Sequence, residues 1–383
     1  MGPVHSRTLI PTAATATIPA MSDTDHVVRL SLPDHAYDIT VSPGLLSRTG
    51  PLLRNLSKSS KAILISDSTV TPLHAAPVRA SLESAGFQVI QHTLPAGEDH
   101  KTLADLLPAY DTLLSSRIER STPLLALGGG VVGDMAGLLA ATTLRGLPFV
   151  QIPTTLLSMV DASVGGKTGV NHAAGKNLIG AFHQPIAVFV DPAVLTTLPP
   201  RELRSGLAEC IKHQIIRDAD GFADLERNIR RALDLDIDYL SRLIAHNVAI
   251  KARVVESDPF EKAERAHLNF GHTFGHAIES VSNYSYSHGE SVALGMAAAA
   301  HLAASLRMID GPTRDRITAL IAAAGLPSNG LRLDPAAVFD AMFFDKKVKS
   351  GRLRFILPTR IGQVVIRDDV SQDLVREAIT SIR

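Results

Sequence analysis

The chain has 383 residues, and its 38 lysines and arginines balance 38 aspartates and glutamates, so the formal net charge is zero. Neutrality argues against a general nucleic-acid binder, which carries a basic excess, and 4% aromatic content with no tryptophan argues against stacking platforms for single strands. With 45% hydrophobic and 20% charged residues the composition is globular, and the length exceeds one small core and predicts two domains.

Residues 1–22 are rich in Thr, Ala, Ser and Pro and hold Arg7 but no acid. One Arg and three prolines (Pro3, Pro11, Pro19) oppose an amphipathic transit helix. The segment reads instead as a disordered tail, or as a start placed too early, with Met21 available. From His26 to Leu198 short apolar runs alternate with helical stretches. Ala62–Ser66, Gln88–Gln91, Leu124–Leu127, Phe149–Ile152 and Val188–Val190 are predicted strands, and Leu103–Arg117 is a predicted helix. That alternation implies an α/β half with a mostly parallel sheet. Leu198-Pro199-Pro200 punctuates the chain. Beyond it Ser205–Ile216, Asp236–Val255, Asn269–Val281, Ser291–Arg307 and Thr313–Ala324 have helical periodicity, and Arg352–Leu357 and Gln363–Arg367 are strand-like. The fold class is therefore α/β plus α, divided as residues 1–25 (extension), 26–198 and 199–383, with a cleft expected at the junction. The longest apolar run, Val292–Leu306, is shorter than the ~20 residues that span a bilayer and is predicted as a buried helix. Cys210 is the single cysteine, which excludes an intrachain disulfide and fits a reducing compartment.

The strand Leu124–Leu127 runs into Gly128-Gly129-Gly130-Val131-Val132-Gly133-Asp134. This satisfies G-x-G-x-x-G between a strand and a helix, where glycines let a pyrophosphate approach the helix N-terminal amides. The acid expected ~20 residues later is missing, since no Asp or Glu lies between Asp134 and Asp161. Asp67, at the end of an earlier strand, is the alternative ribose ligand, and a tight turn without a ligand is the competing reading. Gly165-Gly166-Lys167-Thr168 resembles a P-loop only in part, because Asp161 stands where that pattern needs Gly. A glycine loop carrying a lysine remains.

His272 and His276 are spaced i, i+4 and share one helix face; His288 follows twelve residues after His276, and Glu209 lies in an apolar helical stretch. A carboxylate with imidazoles suits a zinc-type ion held by three protein ligands. Spacing alone leaves open which three of the four bind. Cys210 projects about 100° from Glu209 on a helix and reads as a small buried hydrophobe. His213, His246 and His267 read as surface or packing residues. Arg145, Lys167, Lys176, Lys212, Lys251, Arg265, Lys346 and Lys347 lie in or beside these motifs and together suggest a phosphate and carboxylate clamp.

Over about residues 30–380 the chain resembles the 3-dehydroquinate synthase family of the sugar-phosphate cyclase group. The resemblance rests on Thr143 through Thr168, on Gly175 through Phe182, on Leu268 through Glu279, and on His288-Gly-Glu-Ser-Val-Ala-Leu-Gly-Met. It implies an N-terminal Rossmann-like NAD-binding domain and a mostly helical C-terminal metal-binding domain. It also implies conversion of 3-deoxy-D-arabino-heptulosonate 7-phosphate to 3-dehydroquinate and phosphate, the second step of the shikimate pathway. Oxidation of the C5 hydroxyl, phosphate elimination, re-reduction, ring opening and aldol closure follow in one pocket. Carried over by position, the resemblance implies metal ligands Glu209, His272 and His288, with zinc preferred and cobalt an alternative. It implies NAD contacts at Asp67, Glu98, Lys101, Gly128, Gly129, Gly130, Val131, Asp134, Thr154, Thr155, Lys167, Lys176, Val194, Leu195, Thr196 and Thr197. Substrate contacts map to Arg145, Asp161, Lys167, Asn177, Lys212, Lys251, Arg265, Asn269, His276 and Lys346 or Lys347. A cytoplasmic homodimer that binds neither nucleic acid nor membrane is the further expectation. Ala263 stands where the family usually has Gly, and the N-terminal extension has no counterpart. The competing readings are a glycerol-dehydrogenase-like enzyme, a cyclase for sedoheptulose 7-phosphate or glucose 6-phosphate, and a non-catalytic nucleotide-binding scaffold.

Overall fold

The structure, a computed structural model, describes residues 25–259, 264–344 and 353–383. The N-terminal extension, Ala263, Lys346 and Lys347 lie outside the described residues.

The first half contains strands β1 (His26–Leu32), β2 (His35–Val41), β3 (Lys61–Asp67), β4 (Gln88–Leu94), β5 (Leu124–Gly128), β6 (Phe149–Pro153), β7 (Lys167–His172), β8 (Gly175–Phe182) and β9 (Ala187–Val190). Helices α1 (Thr49–Leu56), α2 (Ala76–Ser84), α3 (Leu103–Ser115) and α4 (Gly130–Thr142) lie between them. Seven strands form one sheet in the order β1-β2-β9-β6-β5-β3-β4, parallel except for the β1–β2 hairpin. Successive residues of the inner strands feed opposite layers. Ile63, Ile65, Leu124, Ala126 and Phe149 pack under α3 and α4, while Leu64, Leu125, Leu127, Val150 and Ile152 join the core shared with the second half. Burial on both faces is why these strands read as unbroken apolar runs. All five predicted strands are present.

The second half contains α5 (Pro200–Arg217), α6 (Ala219–Leu233), α7 (Ile237–Ser257), α8 (His272–Val281), α9 (His288–Ser305), α10 (Gly311–Ala323), α11 (Pro335–Ala341), the hairpin β10 (Phe355–Arg360)–β11 (Gln363–Arg367), and α12 (Gln372–Thr380). α9 is central and packs against α5, α8, α10, α12 and β10. From Ser291 to Ala303 only His301 is not buried, as expected of a helix apolar on every side. Among the described residues no helix is long and apolar enough to cross a membrane.

Two helix starts differ from the periodicity. The helix predicted from Asn269 begins at His272, because Gly271 takes φ 79° and a 3-10 turn (Glu264–Asn269) precedes it. The helix predicted from Ser291 begins at His288, because Ser287 and Glu290 form a capping box. Each correction puts a histidine at the first position of a helix. The β7–β8 hairpin was not predicted: its second strand is half-exposed, with little hydrophobic alternation to mark it.

Candidate active site and metal centre

β3 is hydrogen-bonded to β4 on one side and to β5 on the other, so the chain reverses direction across the sheet at the β3/β5 boundary. Ligand crevices open at the carboxyl ends of strands at such a switch point. Here a cleft of about 1440 Å³ opens there and extends to α5, α7, α8 and α9. α4 starts directly after β5, with no side-chain cap on its first-turn amides. A Cβ on Gly129 would come within 3.2 Å of Thr155, and one on Gly130 within 3.4 Å of Ala162, so added side chains would fill this floor. A Cβ on Gly133 would strike Gln151 of β6 at 2.7 Å, so this glycine permits close helix–strand packing. These are the conditions a dinucleotide pyrophosphate requires.

From the cofactor set, Asp67, Glu98, Lys101, Gly129, Gly130, Val131, Asp134, Thr154, Thr155, Lys167, Lys176 and Thr197 line the cleft. Gly128 faces Val132 of α4 instead, Val194 and Leu195 are core residues, and exposed Thr196 donates to the Ala193 carbonyl (2.8 Å). From the substrate set, Asp161, Asn177, Lys212, Lys251, Arg265, Asn269 and His276 line it together with His272 and His288. Arg145 does not. It sits on the turn beyond the C-terminus of α4, whose 13 residues carry it about 20 Å from the glycine turn. The expectation that Arg145 contacts substrate is therefore not met within this chain.

Three buried cations, Lys101, Lys251 and Arg265, are each fixed by polar partners. Lys101 Nζ donates to Asp134 Oδ2 (2.5 Å) and Asn177 Oδ1 (2.6 Å), and Asn177 holds a left-handed backbone (φ 54°). Burial raises the Asp134 carboxyl despite Lys101. Lys251 Nζ donates to the Asp161 carbonyl (2.5 Å) and to Asp161 Oδ1 (2.6 Å). Asp161 lies in a π-helical turn, Ser158–Ala162, a feature common at functional sites. Burial, with Arg265 and Lys212 nearby, outweighs Asp161 and pushes the Lys251 ammonium down to about 8. Arg265 is buried and donates to the carbonyls of Pro259 (2.7 Å) and Gly165 (3.4 Å).

Glu209 is fully buried on α5, with Oε2 paired to Lys212. Its Oε1 lies 3.4 Å from His288 Nε2 and 3.8 Å from His272 Nε2. Donor atoms of these three residues all fall within 4.8 Å of one another. Donors about 2.1 Å from a tetrahedral zinc ion stand about 3.4 Å apart, so one carboxylate and two imidazoles fit such an ion. His272 Nδ1 lies 3.1 Å from the Phe270 carbonyl, which turns Nε2 toward Glu209. His276 stands outside the cluster, with its ring edge-on to His272 at 5.3 Å.

Burial would raise the Glu209 carboxyl, but Lys212, His288 and His272 hold it well below the usual range. Burial would lower His288, but Glu209 and Glu279 push it up to about 10. His272 is held well below its ordinary value by burial and Lys212. Cys210 is buried with its thiol pushed up by burial and by Glu209, as suits an inert hydrophobe.

Sequence reasoning left two residues of this neighbourhood without a role. His213 packs at the base of the site, Nε2 3.9 Å from Asp161 Oδ1, and burial and Lys212 push it down to about 4. With Asp161 and Glu209 it forms a second cluster of potential donors, but Lys212 and Lys251 already neutralise the two carboxylates. The other residue is Glu279, whose carboxylate faces His288. Neither stood out in the sequence, because each has polar neighbours, Lys212 and Gln214 beside His213, and His276 and Ser280 near Glu279. His246 pairs with Asp218 (2.6 Å) and His267 with Arg217 (2.8 Å), neither lining the cleft.

Residues 91–205 match the family described as 3-dehydroquinate synthase N-terminal, and residues 206–348 match 3-dehydroquinate synthase C-terminal. A 3-dehydroquinate synthase from Picosynechococcus sp. is 48% identical over 361 residues, covering 93% of this chain and 98% of that protein. Among solved structures, a 2-epi-5-epi-valiolone synthase from Streptomyces hygroscopicus subsp. jinggangensis, with NAD⁺ and Zn²⁺ bound, superposes with a TM-score of 0.84 at 29% identity; 92% of this chain and 98% of that one are covered. A 2-deoxy-scyllo-inosose synthase, complexed with carbaglucose-6-phosphate, NAD⁺ and Co²⁺, gives 0.85 at 26% identity, covering 93% and 100%. With both halves matched and a relative this similar along nearly its whole length, the chain belongs to the 3-dehydroquinate synthase family.

Proposed function

We infer that this chain, a carbon–oxygen lyase, converts 3-deoxy-D-arabino-heptulosonate 7-phosphate to 3-dehydroquinate and phosphate. The reaction passes through transient oxidation at C5, phosphate elimination, re-reduction and intramolecular aldol closure. The observation that carries this reading is one cleft holding three features: a glycine turn at a sheet switch point, a Glu/His/His cluster, and fixed cations suited to a phosphate and a carboxylate. Residues 26–198 form the NAD-binding domain and 199–383 the metal- and substrate-binding domain. The family match favours this substrate over the polyols of a glycerol-dehydrogenase-like enzyme and over the substrates of other cyclases.

When bound, NAD⁺ supplies a reversible two-electron oxidant and a divalent ion, zinc or cobalt, supplies a Lewis acid. Glu209, His272 and His288 hold the ion; Asp67, Glu98, the Gly129–Gly130 turn, Thr154, Thr155, Lys176 and Thr197 hold the dinucleotide. Lys167, Asn177, Arg265 and one of Lys346 and Lys347 grip the phosphate. Lys212, Lys251 and Asn269 orient the carboxylate and hydroxyls, and Asp161 aims Lys251. His276 helps move a proton beside the phosphate, whose own oxygen serves as base for the adjacent C–H. The chain contributes chiefly orientation and charge stabilisation, which explains the scarcity of dedicated general bases.

Phosphate release from the heptulosonate phosphate tests this reading. The protein with NAD⁺ releases one phosphate per substrate without accumulating NADH; a chelator stops release and Zn²⁺ or Co²⁺ restores it. Stoichiometric NAD⁺ reduction with glycerol, and no phosphate, would overturn it. The working unit is a cytoplasmic homodimer, for which light scattering gives twice the chain mass.

A further inference from the structure

Glu279 has no assigned role, yet its carboxylate faces two functional groups at once. Oε2 lies 3.6 Å from Nδ1 of His288, the ligand whose other nitrogen faces Glu209. Oε1 lies 3.5 Å from Nζ of Lys176 on the β7–β8 hairpin. That ammonium is also 4.0 Å from Glu98 and 3.9 Å from the centroid of the Tyr284 ring. Tyr284 and its neighbour Asn283 both hold left-handed backbone (φ 60° and 48°), which non-glycine residues seldom adopt; the turn after α8 is thus specifically shaped where it carries the ring over the lysine. The Glu279 side chain is only 12% exposed, so its pairings are shielded from water more than those of a surface ion pair.

A histidine ligand is oriented by the acceptor on its second nitrogen. We propose that Glu279 is a positioning residue that couples metal binding to cofactor binding, because the one carboxylate that orients His288 is itself held by the cofactor-side Lys176. An ion that fixes His288 fixes Glu279 and so prepares Lys176 for NAD⁺, and NAD⁺ that immobilises Lys176 prepares His288 for the ion. The inference rests on the metal and NAD reading above. Linkage requires the coupling to be equal in both directions.

The experiment needs no turnover. NAD⁺ affinity is measured by fluorescence titration with and without Zn²⁺, and Zn²⁺ affinity by chelator competition with and without NAD⁺. In the unmodified protein each ligand tightens the other by the same factor, about 5-fold or more. Glu279→Ala weakens Zn²⁺ binding and brings the factor to about 1. Glu279→Gln keeps an acceptor for His288, so Zn²⁺ affinity recovers while the coupling stays lost. Tyr284→Leu leaves NAD-free Zn²⁺ affinity unchanged and reduces the factor. A factor of 1 in the unmodified protein, or an unreduced factor in Glu279→Ala, overturns the inference while leaving the functional reading intact. Failure of the unmodified protein to bind Zn²⁺ or NAD⁺ overturns both.

Discussion

Replacing His272 by Ala strips the protein of its divalent ion and lowers kcat for phosphate release by a factor on the order of 10³. A bound Lewis acid contributes several kcal/mol to the transition state, and each 1.36 kcal/mol is tenfold in rate. Among the described residues His272 has no understudy. It is the first residue of α8, held by the Phe270 carbonyl, and His276 one turn on stands outside the donor cluster. Metal content after dialysis and phosphate release are the two measurements. His276→Ala is the contrast, retaining the ion while slowing turnover; a metal-replete, fully active His272→Ala variant would sink the assignment. pH adds a second readout. Without the ion His288 is held cationic at neutral pH, since Glu209 and Glu279 push it up to about 10 against the effect of burial. Metal uptake must expel that proton, so apparent affinity rises with pH by up to tenfold per unit below about 10, with proton release on titration with Zn²⁺ or Co²⁺.

The parts of this molecule legible in the sequence are those that bury apolar surface. β3, β5 and β6 are covered on both faces, and α9 is enclosed by five other elements; each appears as an apolar run with a definite length. The β7–β8 hairpin is held by backbone pairing and half-exposed side chains, which hydropathy does not register. The metal centre was legible as four candidates because residue type and i, i+4 spacing name a helix face. The family resemblance singled out three of them, whereas spacing alone could not, because that choice depends on where α8 and α9 begin. The left-handed Gly271 and the Ser287–Glu290 capping box decide that, and both act within a single turn, below the resolution of periodicity. Arg145 lies outside this chain's cleft for the opposite reason. It lies beside the motifs in the chain, but the rise of α4 carries it away from them.

Replacing Lys251 by Met separates holding the fold from binding substrate. Methionine fills similar space but leaves the carbonyl and carboxylate of Asp161 without their ammonium donor. His213 cannot compensate, being 3.9 Å away and uncharged near neutrality. Breaking a buried pair from one side costs about 3 kcal/mol, which in a chain of 383 residues lowers the melting temperature by about 4 °C. The double variant Lys251→Met with Asp161→Asn removes the orphaned charge, so most of that stability returns. kcat/KM does not return; it stays down by a factor on the order of 10² in both variants, the cost of one charge-assisted contact to substrate. The unmodified enzyme carries an independent pH signature of the same residue. Lys251 titrates at about 8 when folded against 10.5 for the ordinary side chain, so between those values the unfolded chain binds more protons. This group therefore makes the folded state more stable as pH rises through that window. Its substrate-binding ammonium is lost over the same window, so kcat/KM falls as stability climbs. Thermal melts and initial rates from pH 7 to 10 give the two curves. Lys251→Met flattens this contribution in both, whereas unchanged slopes in the variant would show that another group sets the profile.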